Sequence, residues 1–309
     1  MNIPKTEWIW HNGRLVKWDE ATVHVTAHAL HYGSSVFEGL RLYDTARGPA
    51  VFQLGPHVRR LFDSCRIMRM ELQYSEEQVA AAILETVRRN GLKSGYIRPL
   101  AYKGVGPIGL DARSAPTELA IFAFEFGPYL GQAALEQGVD VMVSSWRRAA
   151  PGTLAGMAKA GGNYLNSQFI AMEAADLGFG EGIALDVNGL VSEGSGENIF
   201  VVYRGVIHTP PVGASILMGI TRECVLTLAK ELGHEVREQA FPRDMLYVAD
   251  EIFFTGTAVE ISPIRAVDKI KIGTGTRGPV TAGIQEAFYG ILSGKTPDRH
   301  GWLTYLDSR

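Results

Sequence analysis

The stretch Ala158-Lys159-Ala160-Gly161-Gly162-Asn163-Tyr164 places a single lysine among small residues and glycines. No other charged residue occurs between Thr153 and Ser167. An exposed loop lysine would explain this residue without any special role, because most lysines lie at the protein surface. A lysine in an apolar setting can also form a Schiff base, since desolvation keeps its amine neutral and able to attack a carbonyl. The choice between these interpretations depends on other segments of the chain.

The segment Val191-Ser192-Glu193-Gly194-Ser195-Gly196-Glu197-Asn198 is the first of these. It follows Asn188-Gly189, a pair typical of a hairpin turn, and it sets Glu193 among small residues that let a flat ring approach the backbone. A carboxylate beside a pyridine nitrogen keeps that nitrogen protonated, so that the ring can withdraw electrons from a carbanion. Two acidic residues on an exposed loop are the alternative interpretation.

Three further segments can hold a phosphate or another oxyanion. Leu217-Met218-Gly219-Ile220-Thr221-Arg222 opens a predicted helix, and the unpaired amides at a helix start bind anions. Phe254-Thr255-Gly256-Thr257-Ala258 ends an apolar strand with glycine and hydroxyl groups. His57-Val58-Arg59-Arg60-Leu61 carries two arginines on a predicted helix, of which one can reach a phosphate and the other solvent. Each of these signals is weak when taken alone.

The composition is that of a folded protein with a nearly balanced charge. The 309 residues are 46% apolar and 20% charged, and this length predicts about two domains or one large one. Lys and Arg number 30 against 33 Asp and Glu, so nucleic acid and anionic membranes are not expected as partners. No targeting segment or membrane span is expected. Cys65 and Cys224 are interpreted as buried structural thiols, too few for a disulfide framework, which favours the cytoplasm.

The pattern of apolar and turn residues predicts an α+β chain of two domains. The first is predicted to contain a hairpin at Asn12-Gly13, a hairpin over 40–54, a helix over 56–70, a helix capped by Ser75 that ends at Asn90-Gly91, and strands over 96–103 and 118–125. The second is predicted to contain helices over 164–177, 221–232 and 280–292 and strands over 183–187, 198–203 and 251–255. Residues 127–137 are taken as a linker between a smaller domain, 1–126, and a larger one, 138–309.

Two other patterns suggest function but are better explained without it. Residues 104–109 and 273–278 match GxGxxG, yet neither lies between a strand and a crossover helix, as a dinucleotide site requires. His24, His28 and His31 would share one face of a helix. No cysteine or paired carboxylate at ligand spacing accompanies them, so no metal site is predicted.

Taken together, these segments make the chain similar, over nearly its whole length, to the branched-chain amino-acid aminotransferases, which are fold type IV (class IV) pyridoxal-phosphate enzymes. The resemblance is carried by His31–Gly39, Tyr96–Leu100, Lys159–Tyr164, Glu193–Asn198, Leu217–Arg222 and Thr255–Ala258. It implies two α/β domains with pyridoxal 5'-phosphate in the cleft between them, the larger C-terminal domain being the cofactor-binding one.

The resemblance also implies roles for individual cofactor-binding residues. Lys159 would carry the cofactor covalently and move a proton during the reaction, Tyr164 would hydrogen-bond its 3'-oxygen, and Glu193 would bind its ring nitrogen. Arg60, Ile220, Thr221 and Thr257 match the phosphate ligands. The remaining residues expected at the cofactor are Leu217, Gly219 and Gly256.

Substrate contacts follow from the same resemblance. Thr257 and Ala258, helped by Tyr96, would hold the substrate α-carboxylate. Arg98 would bind the distal carboxylate of an acidic substrate, the alternative being a structural arginine paired with Glu38. The walls of the apolar side-chain pocket are expected to be Phe37, Phe126, Tyr129 and, from the neighbouring subunit, Tyr32. Phe126 replaces the tryptophan of some relatives, and residues 104–113 align only with a gap.

The implied reaction is reversible amino transfer from L-leucine, L-isoleucine or L-valine to 2-oxoglutarate. Amino acids and 2-oxo acids are the expected partners, and a homodimer or a hexamer of dimers is the expected assembly. D-amino-acid and (R)-amine transaminases share the lysine and the glutamate, so they remain alternatives, as does a non-catalytic pyridoxal-phosphate-binding protein. The runs Phe37-Glu38-Gly39 and Tyr96-Ile97-Arg98 follow the branched-chain pattern.

Overall fold

The structure is a computed structural model that describes residues 3–127, 131 and 133–306. The described residues form two compact units. Unit 1 contains residues up to 127 together with 158–162 and those from 292 onward, and unit 2 contains the residues between, up to 157 and from 163 to 291.

The strands of the described residues are, in chain order, β1 (Trp8–His11), β2 (Arg14–Lys17), β3 (Ser35–Phe37), β4 (Leu40–Thr45), β5 (Gly48–Phe52), β6 (Gly95–Lys103), β7 (Thr117–Phe124), β8 (Val139–Arg147), β9 (Glu181–Leu185), β10 (Val191–Gly194), β11 (Asn198–Tyr203), β12 (Val206–Thr209), β13 (Val236–Glu238), β14 (Glu251–Gly256), β15 (Glu260–Val267), β16 (Ile270–Lys271) and β17 (Leu303–Tyr305). The α-helices are α1 (His28–Tyr32), α2 (Leu54–Ile67), α3 (Glu76–Arg89), α4 (Ala134–Gln137), α5 (Tyr164–Asp176), α6 (Ile220–Glu231), α7 (Asp244–Tyr247) and α8 (Pro279–Ser293).

Unit 1 is built on a mainly antiparallel sheet with the strand order β17-β5-β4-β6-β7-β1-β2, to which β3 adds by pairing with β6. Helix α3 packs on this sheet against β7, β6 and β1, and α2 packs on α3. The apolar stripe predicted for α3 is confirmed, since Val79, Ile83 and Val87 are fully buried. The buried face of α3 therefore covers β7, β6 and β1 of this sheet.

Local signals in the sequence set the ends of several elements in unit 1. Ser75 accepts a hydrogen bond from the Gln78 amide, and the Gln78 side chain accepts one from the Ser75 amide, which confirms the predicted cap. Asn12 and Gly13 both have positive φ, 48° and 93°, as the turn between β1 and β2 requires.

Unit 2 is built on a sheet with the strand order β10-β9-β8-β15-β14-β11-β12-β13, with β16 paired to β15. Its central strands are buried on both faces, so their sequences are nearly continuous apolar runs. The hydrophobic core of this unit includes Val141, Ile183, Val191, Ile199, Val201, Ile252, Phe254, Ile264 and Val267. The expected α+β class is confirmed, because helices and two largely antiparallel sheets are both present.

The compact units differ from the predicted domain ranges in two places. Unit 1 gives way to unit 2 after Gly127, at the start of the predicted linker. However, β17 pairs with β5, and Ala160 bridges Val36 of β3, so both of these segments belong to unit 1. Both additions depend on strand pairing between residues more than one hundred positions apart, which no local pattern indicates.

No helix in the described part of the chain combines the length and the apolar character needed to cross a bilayer.

Candidate active site

Lys159 lies in unit 1, in an extended segment beside β3. Its amide donates to Ser64 Oγ at 3.0 Å, and its carbonyl accepts from the Phe37 amide at 3.0 Å. The flanking Ala158 and Ala160 are each only 2% exposed. Lys159 Nζ lies 5.0 Å from the centre of the Phe37 ring. The backbone is thus held on both sides of this residue, which argues against an ordinary solvent-exposed loop lysine.

Arg60 forms a buried ion pair with Glu38, the residue that follows β3. Arg60 Nε and Nη2 donate to Glu38 Oε1 and Oε2 at 2.6 and 2.9 Å, and His57 Nδ1 lies 2.7 Å from Oε2. Burial by itself raises the pKa of Glu38, but the neighbouring Arg60 and His57 lower this pKa well below its usual range. Burial lowers the pKa of His57, so it is neutral. The Arg60 guanidinium is therefore fixed in direction by an ionised carboxylate.

The two arginines of this helix differ as the sequence predicted. Arg59 is 68% exposed in its side chain and contacts Glu76 at 3.1 Å, whereas the Arg60 side chain is only 14% exposed. Arg60 is therefore the one that can serve a buried anion.

Phe37, Tyr96, Arg98 and Phe126 form one cluster in unit 1, which we call the aromatic cluster. The Arg98 guanidinium carbon lies 4.7 Å from the centre of the Phe37 ring and 5.4 Å from that of Tyr96. The centres of the Tyr96 and Phe126 rings are 5.1 Å apart. Arg98 Nε is buried and has no hydrogen-bond partner among the described residues. Four of the predicted substrate residues are thus brought together.

Glu38 pairs with Arg60 and His57, so the alternative pairing of Arg98 with Glu38 is not what the structure shows. Gly39 explains how Tyr96 reaches its position, because a Cβ atom at Gly39 would lie 1.7 Å from Tyr96 Oη. Only a glycine at this position leaves room for the Tyr96 ring.

Tyr32 lies in α1 with 44% of its surface exposed and its ring 4.5 Å from that of His28. Tyr129 lies outside the described residues.

The three histidines near α1 each have a partner of another kind. His24 Nδ1 lies 2.7 Å from Thr26 Oγ1, His28 Nδ1 lies 2.7 Å from Ser34 Oγ, and His31 Nε2 lies 2.8 Å from the Val25 carbonyl oxygen. Over residues 3–127, 131 and 133–306, no group of His, Cys, Asp and Glu is arranged to hold a metal ion. These histidines are hydrogen-bonded structural residues.

Glu193 lies in unit 2, on β10, and is 8% exposed. Its Oε2 accepts from the Leu217 amide at 3.0 Å and from Asn198 Nδ2 at 3.3 Å, while Oε1 lies 3.1 Å from Arg148 Nε. The interpretation of this segment as an exposed acidic loop is therefore wrong. A cation and two N–H donors hold the carboxylate in one direction, as a partner for a ring nitrogen must be held.

The start of α6 meets this carboxylate through Asn198. Asn198 Nδ2 also donates to the Leu217 carbonyl at 2.9 Å, and a Cβ atom at Gly219 would lie 1.9 Å from Asn198 Oδ1. Gly219 is the residue before α6, and Ile220 and Thr221 open the helix. The first amides of a helix have no partner within it, so they are available to an anion.

The end of β14 lies beside the same residues. Thr255 is opposite Asn198 in the register of β11 and β14, and its buried Oγ1 has no hydrogen-bond partner within the described residues. A Cβ atom at Gly256 would lie 3.7 Å from both Glu197 Cγ and the Gly196 carbonyl oxygen. The half-buried Thr257 and Ala258 follow in a turn. Three of the segments singled out from the sequence therefore converge within unit 2.

Arg148 is the residue of this site that the sequence analysis did not single out. Its Nη1 donates to Asn166 Oδ1 at 2.9 Å and to Ser167 Oγ at 3.0 Å, both in the first turn of α5, which Tyr164 opens. Arg148 thus joins the start of α5 to Glu193. No local signal marks it, because the adjacent Arg147 has the same side chain and is exposed.

A sequence profile of the family described as amino-transferase class IV matches residues 35–267 of the chain. The branched-chain-amino-acid aminotransferase of Salmonella typhimurium is 52% identical over 311 aligned positions, which cover 100% of both chains.

Solved structures of similar proteins have the same fold. The branched-chain amino acid aminotransferase of Escherichia coli superposes with a TM-score of 0.95 at 52% identity, covering 98% of this chain and 100% of that one. The enzyme of the same name from Thermobaculum terrenum, solved in its PLP-bound holo form, gives a TM-score of 0.92 at 33% identity, covering 98% and 99%.

Proposed function

Because the chain belongs to the class IV aminotransferase family, we propose that it catalyses reversible amino transfer from L-leucine, L-isoleucine or L-valine to 2-oxoglutarate, giving branched 2-oxo acids and L-glutamate. The observation that carries this assignment is the aromatic cluster, in which Arg98 lies against the rings of Phe37 and Tyr96. The rings offer an apolar wall to a branched side chain, and the guanidinium offers a bidentate partner to the second carboxylate of glutamate or 2-oxoglutarate.

Pyridoxal 5'-phosphate is the cofactor of this family, and when bound it supplies an electron sink for a carbanion at the substrate α-carbon. The residues of this chain fit such a group. Glu193, ion-paired to Arg148, is a carboxylate suited to a protonated ring nitrogen. The Thr255 hydroxyl and the first amides of α6 are donors suited to a phosphate. The other expected cofactor contacts are Arg60, Leu217, Gly219, Ile220, Thr221, Gly256 and Thr257.

Lys159 is assigned two tasks in this proposal. Its amine would hold the cofactor covalently, and Nζ would take up and return the proton of the substrate α-carbon. The hydrogen bond that the Lys159 amide donates to Ser64 and the one that its carbonyl accepts from Phe37 hold the backbone in place, so that only the side chain has to move between these tasks. Tyr164 is proposed to form a hydrogen bond with the 3'-oxygen of the cofactor.

The substrate contacts complete the proposal. We propose that the amides of Thr257 and Ala258, together with Tyr96, bind the α-carboxylate of the substrate. Thr257 and Ala258 follow β14 in a half-buried turn, which supports this role. Phe37, Phe126 and Tyr129 are assigned the side-chain pocket.

We also propose that the chain acts as a homodimer, or as a hexamer of dimers, in the cytoplasm. The exposed Tyr32 ring on α1 supports a contribution to the pocket of a second copy. Two buried free cysteines fit a reducing compartment.

An amino-donor screen with 2-oxoglutarate as acceptor tests the proposed reaction. Leucine, isoleucine and valine should each yield L-glutamate, whereas D-alanine and (R)-1-phenylethylamine should not. A preference for either of the last two donors would identify another transaminase of the same fold. Cofactor binding without transfer from any donor would indicate a non-catalytic pyridoxal-phosphate protein.

A further inference from the structure

Three glutamates and one arginine are buried together in unit 2. Glu181, Glu193, Glu197 and Arg148 are 4, 8, 7 and 9% exposed, and we call them the acid cluster. Arg148 Nε lies 3.1 Å from Glu193 Oε1 and forms an ion pair with it. Its Nη2 donates to the Ser195 carbonyl at 2.9 Å. The single cation is therefore committed to Glu193 and to the loop that follows it.

The donors available to the other two carboxyl groups differ. Burial raises the pKa of Glu181, and hydrogen bonds from the Gly182 amide at 2.7 Å and from both the amide and the hydroxyl of Ser195 oppose this rise. Glu197 Oε2 accepts from the Gly196 amide at 2.9 Å. Glu197 thus has the weaker set of donors to stabilise a negative charge.

The charged groups that face Glu197 are Glu181 from β9, Glu193 from β10 and Arg148 from the end of β8. On the side of β14, Glu197 Oε2 and the apolar ring of Phe254 both lie within 3.0 Å of the Cβ position of Gly194. With all three carboxyl groups ionised, the acid cluster would hold two uncompensated negative charges away from water, which is costly. In agreement, burial raises the pKa of Glu197 well above its usual value, and the charges of Glu181 and Glu193 raise it further.

We propose that Glu197 is protonated at neutral pH, so that the acid cluster carries one net negative charge and Arg148 stays paired with Glu193. This inference rests on the proposed function, in which Glu193 binds the protonated ring nitrogen of the cofactor. One net negative charge is what a single protonated ring nitrogen neutralises. Glu197 is in this sense a positioning residue, which acts through Glu193 and Arg148.

The first test measures the melting temperature of the holoenzyme from about pH 5 to pH 8 for wild type and Glu197→Gln. An acid whose pKa is raised in the folded state contributes stability below its unfolded value, and this contribution is lost as the pH rises. Glutamine mimics the protonated form at every pH. The melting temperature of the variant should therefore equal that of wild type at about pH 5. It should exceed the wild-type value by an increasing amount as the pH rises.

Glu173→Gln is the matched control, because Glu173 is a partly buried acid of the opposite kind. Burial by itself raises the pKa of Glu173, but hydrogen bonds from Ser144 and Ser145 lower this pKa below its usual value. Glu173→Gln should be less stable than wild type by an amount that stays nearly constant from about pH 5 to pH 8, because the stability given by a lowered pKa is lost only as the pH falls below the unfolded value. If Glu197→Gln behaves like Glu173→Gln, Glu197 is ionised and the proposal is overturned.

The second test is spectroscopic. Infrared difference spectra between wild type and Glu197→Gln, both with ¹³C-labelled glutamate, should show the stretching band of a protonated carboxyl group that is present in wild type at neutral pH and is missing from the variant. Absence of that band at neutral pH would overturn the proposal.

The third test separates this proposal from the proposed function. With ¹⁵N-labelled pyridoxal phosphate bound, the ring-nitrogen chemical shift should report protonation in wild type and Glu197→Gln, and its loss in Glu193→Gln. Loss in Glu197→Gln as well would show that Glu197 supplies a negative charge, against the proposal. Retention in Glu193→Gln would count instead against the role proposed for Glu193, while the infrared band would still decide the state of Glu197.

Discussion

Lys159 and Lys103 both lie in unit 1 next to glycine-rich segments, and their amines have different surroundings. Lys103 Nζ donates to the Ala115 carbonyl at 2.9 Å, and burial lowers the pKa of this lysine. Lys159 Nζ lies over the Phe37 ring. Only the latter lies beside the aromatic cluster, so we assign the covalent link to Lys159 alone.

Lys159→Ala should remove the visible absorbance of the bound cofactor, because only this amine forms the covalent link. The fold should persist, since the packed neighbours Ala158 and Ala160 are unchanged. Borohydride reduction of the wild-type enzyme followed by peptide mapping checks the assignment, with the Lys103 peptide as internal control. A pyridoxyl label on Lys103 would show that the wrong lysine has been chosen.

Arg98→Met should lower kcat/KM for glutamate and 2-oxoglutarate while sparing leucine in its own half-reaction. Truncating one partner of a buried charge pair costs about 2–5 kcal/mol, which corresponds to a loss of roughly 30- to 4,000-fold. Stopped-flow measurement with each amino donor alone separates the two half-reactions. Equal losses for leucine and glutamate would mean that Arg98 supports the site only structurally.

At the scale of elements, the start of α6 is positioned by a close approach to Asn198 that only a glycine allows. Gly219→Ala should weaken cofactor binding, because the added Cβ would collide with Asn198 Oδ1 and displace the first amides of the helix. Gly213→Ala is the matched control, since a Cβ there meets no atom within 4 Å. Equilibrium dialysis of cofactor measures both variants. Equal affinities in the two would show that the start of α6 does not bind the phosphate.

Glu38 joins the end of β3 to α2 through Arg60 and His57. Glu38→Gln should destabilise the protein at neutral pH by about 3–5 kcal/mol, because it leaves a buried guanidinium uncompensated. The lowered pKa of Glu38 gives stability above its unfolded value of 4.5, which is lost as the pH falls. The difference between variant and wild type should therefore shrink on acidification.

Denaturant unfolding at several pH values measures this effect. Glu76→Gln is the control, since its contact with the exposed Arg59 should contribute no more than about 1 kcal/mol. If Glu38→Gln cost as little as this control, the pair would not fix Arg60.

At the scale of the whole molecule, the exposed ring of Tyr32 leads to a prediction about how two copies of the chain assemble. If Tyr32 serves the pocket of a second copy, Lys159→Ala and Tyr32→Ala chains should be inactive or weak alone but should complement each other when mixed. The mixed dimer contains one site with both residues intact, so random exchange should restore about a quarter of the wild-type sites. No gain on mixing, with subunit exchange verified by mass, would place Tyr32 in the pocket of its own chain.

The local sequence was sufficient for elements whose signals lie within a few residues. The Ser75 cap, the Asn12-Gly13 turn and the apolar stripe of α3 are confirmed, because capping, positive φ and helical periodicity are properties of short segments. Helix α2 begins at Leu54, two residues before the predicted start, because the residue before it, Gln53, adopts a left-handed conformation that no turn motif announces.

The residues expected to carry the chemistry were also visible in the sequence, since Lys159, Glu193 and Gly219 lie in short segments whose residue types suit a cofactor. How these residues are held follows from the tertiary fold. Arg148 meets Glu193, Glu38 meets Arg60, and β17 joins β5, each through contacts between positions distant along the chain. Charge and burial give such pairs their energy, and both depend on which strands become neighbours. A residue's own sequence surroundings therefore cannot distinguish the buried Arg148 from the exposed Arg147 beside it.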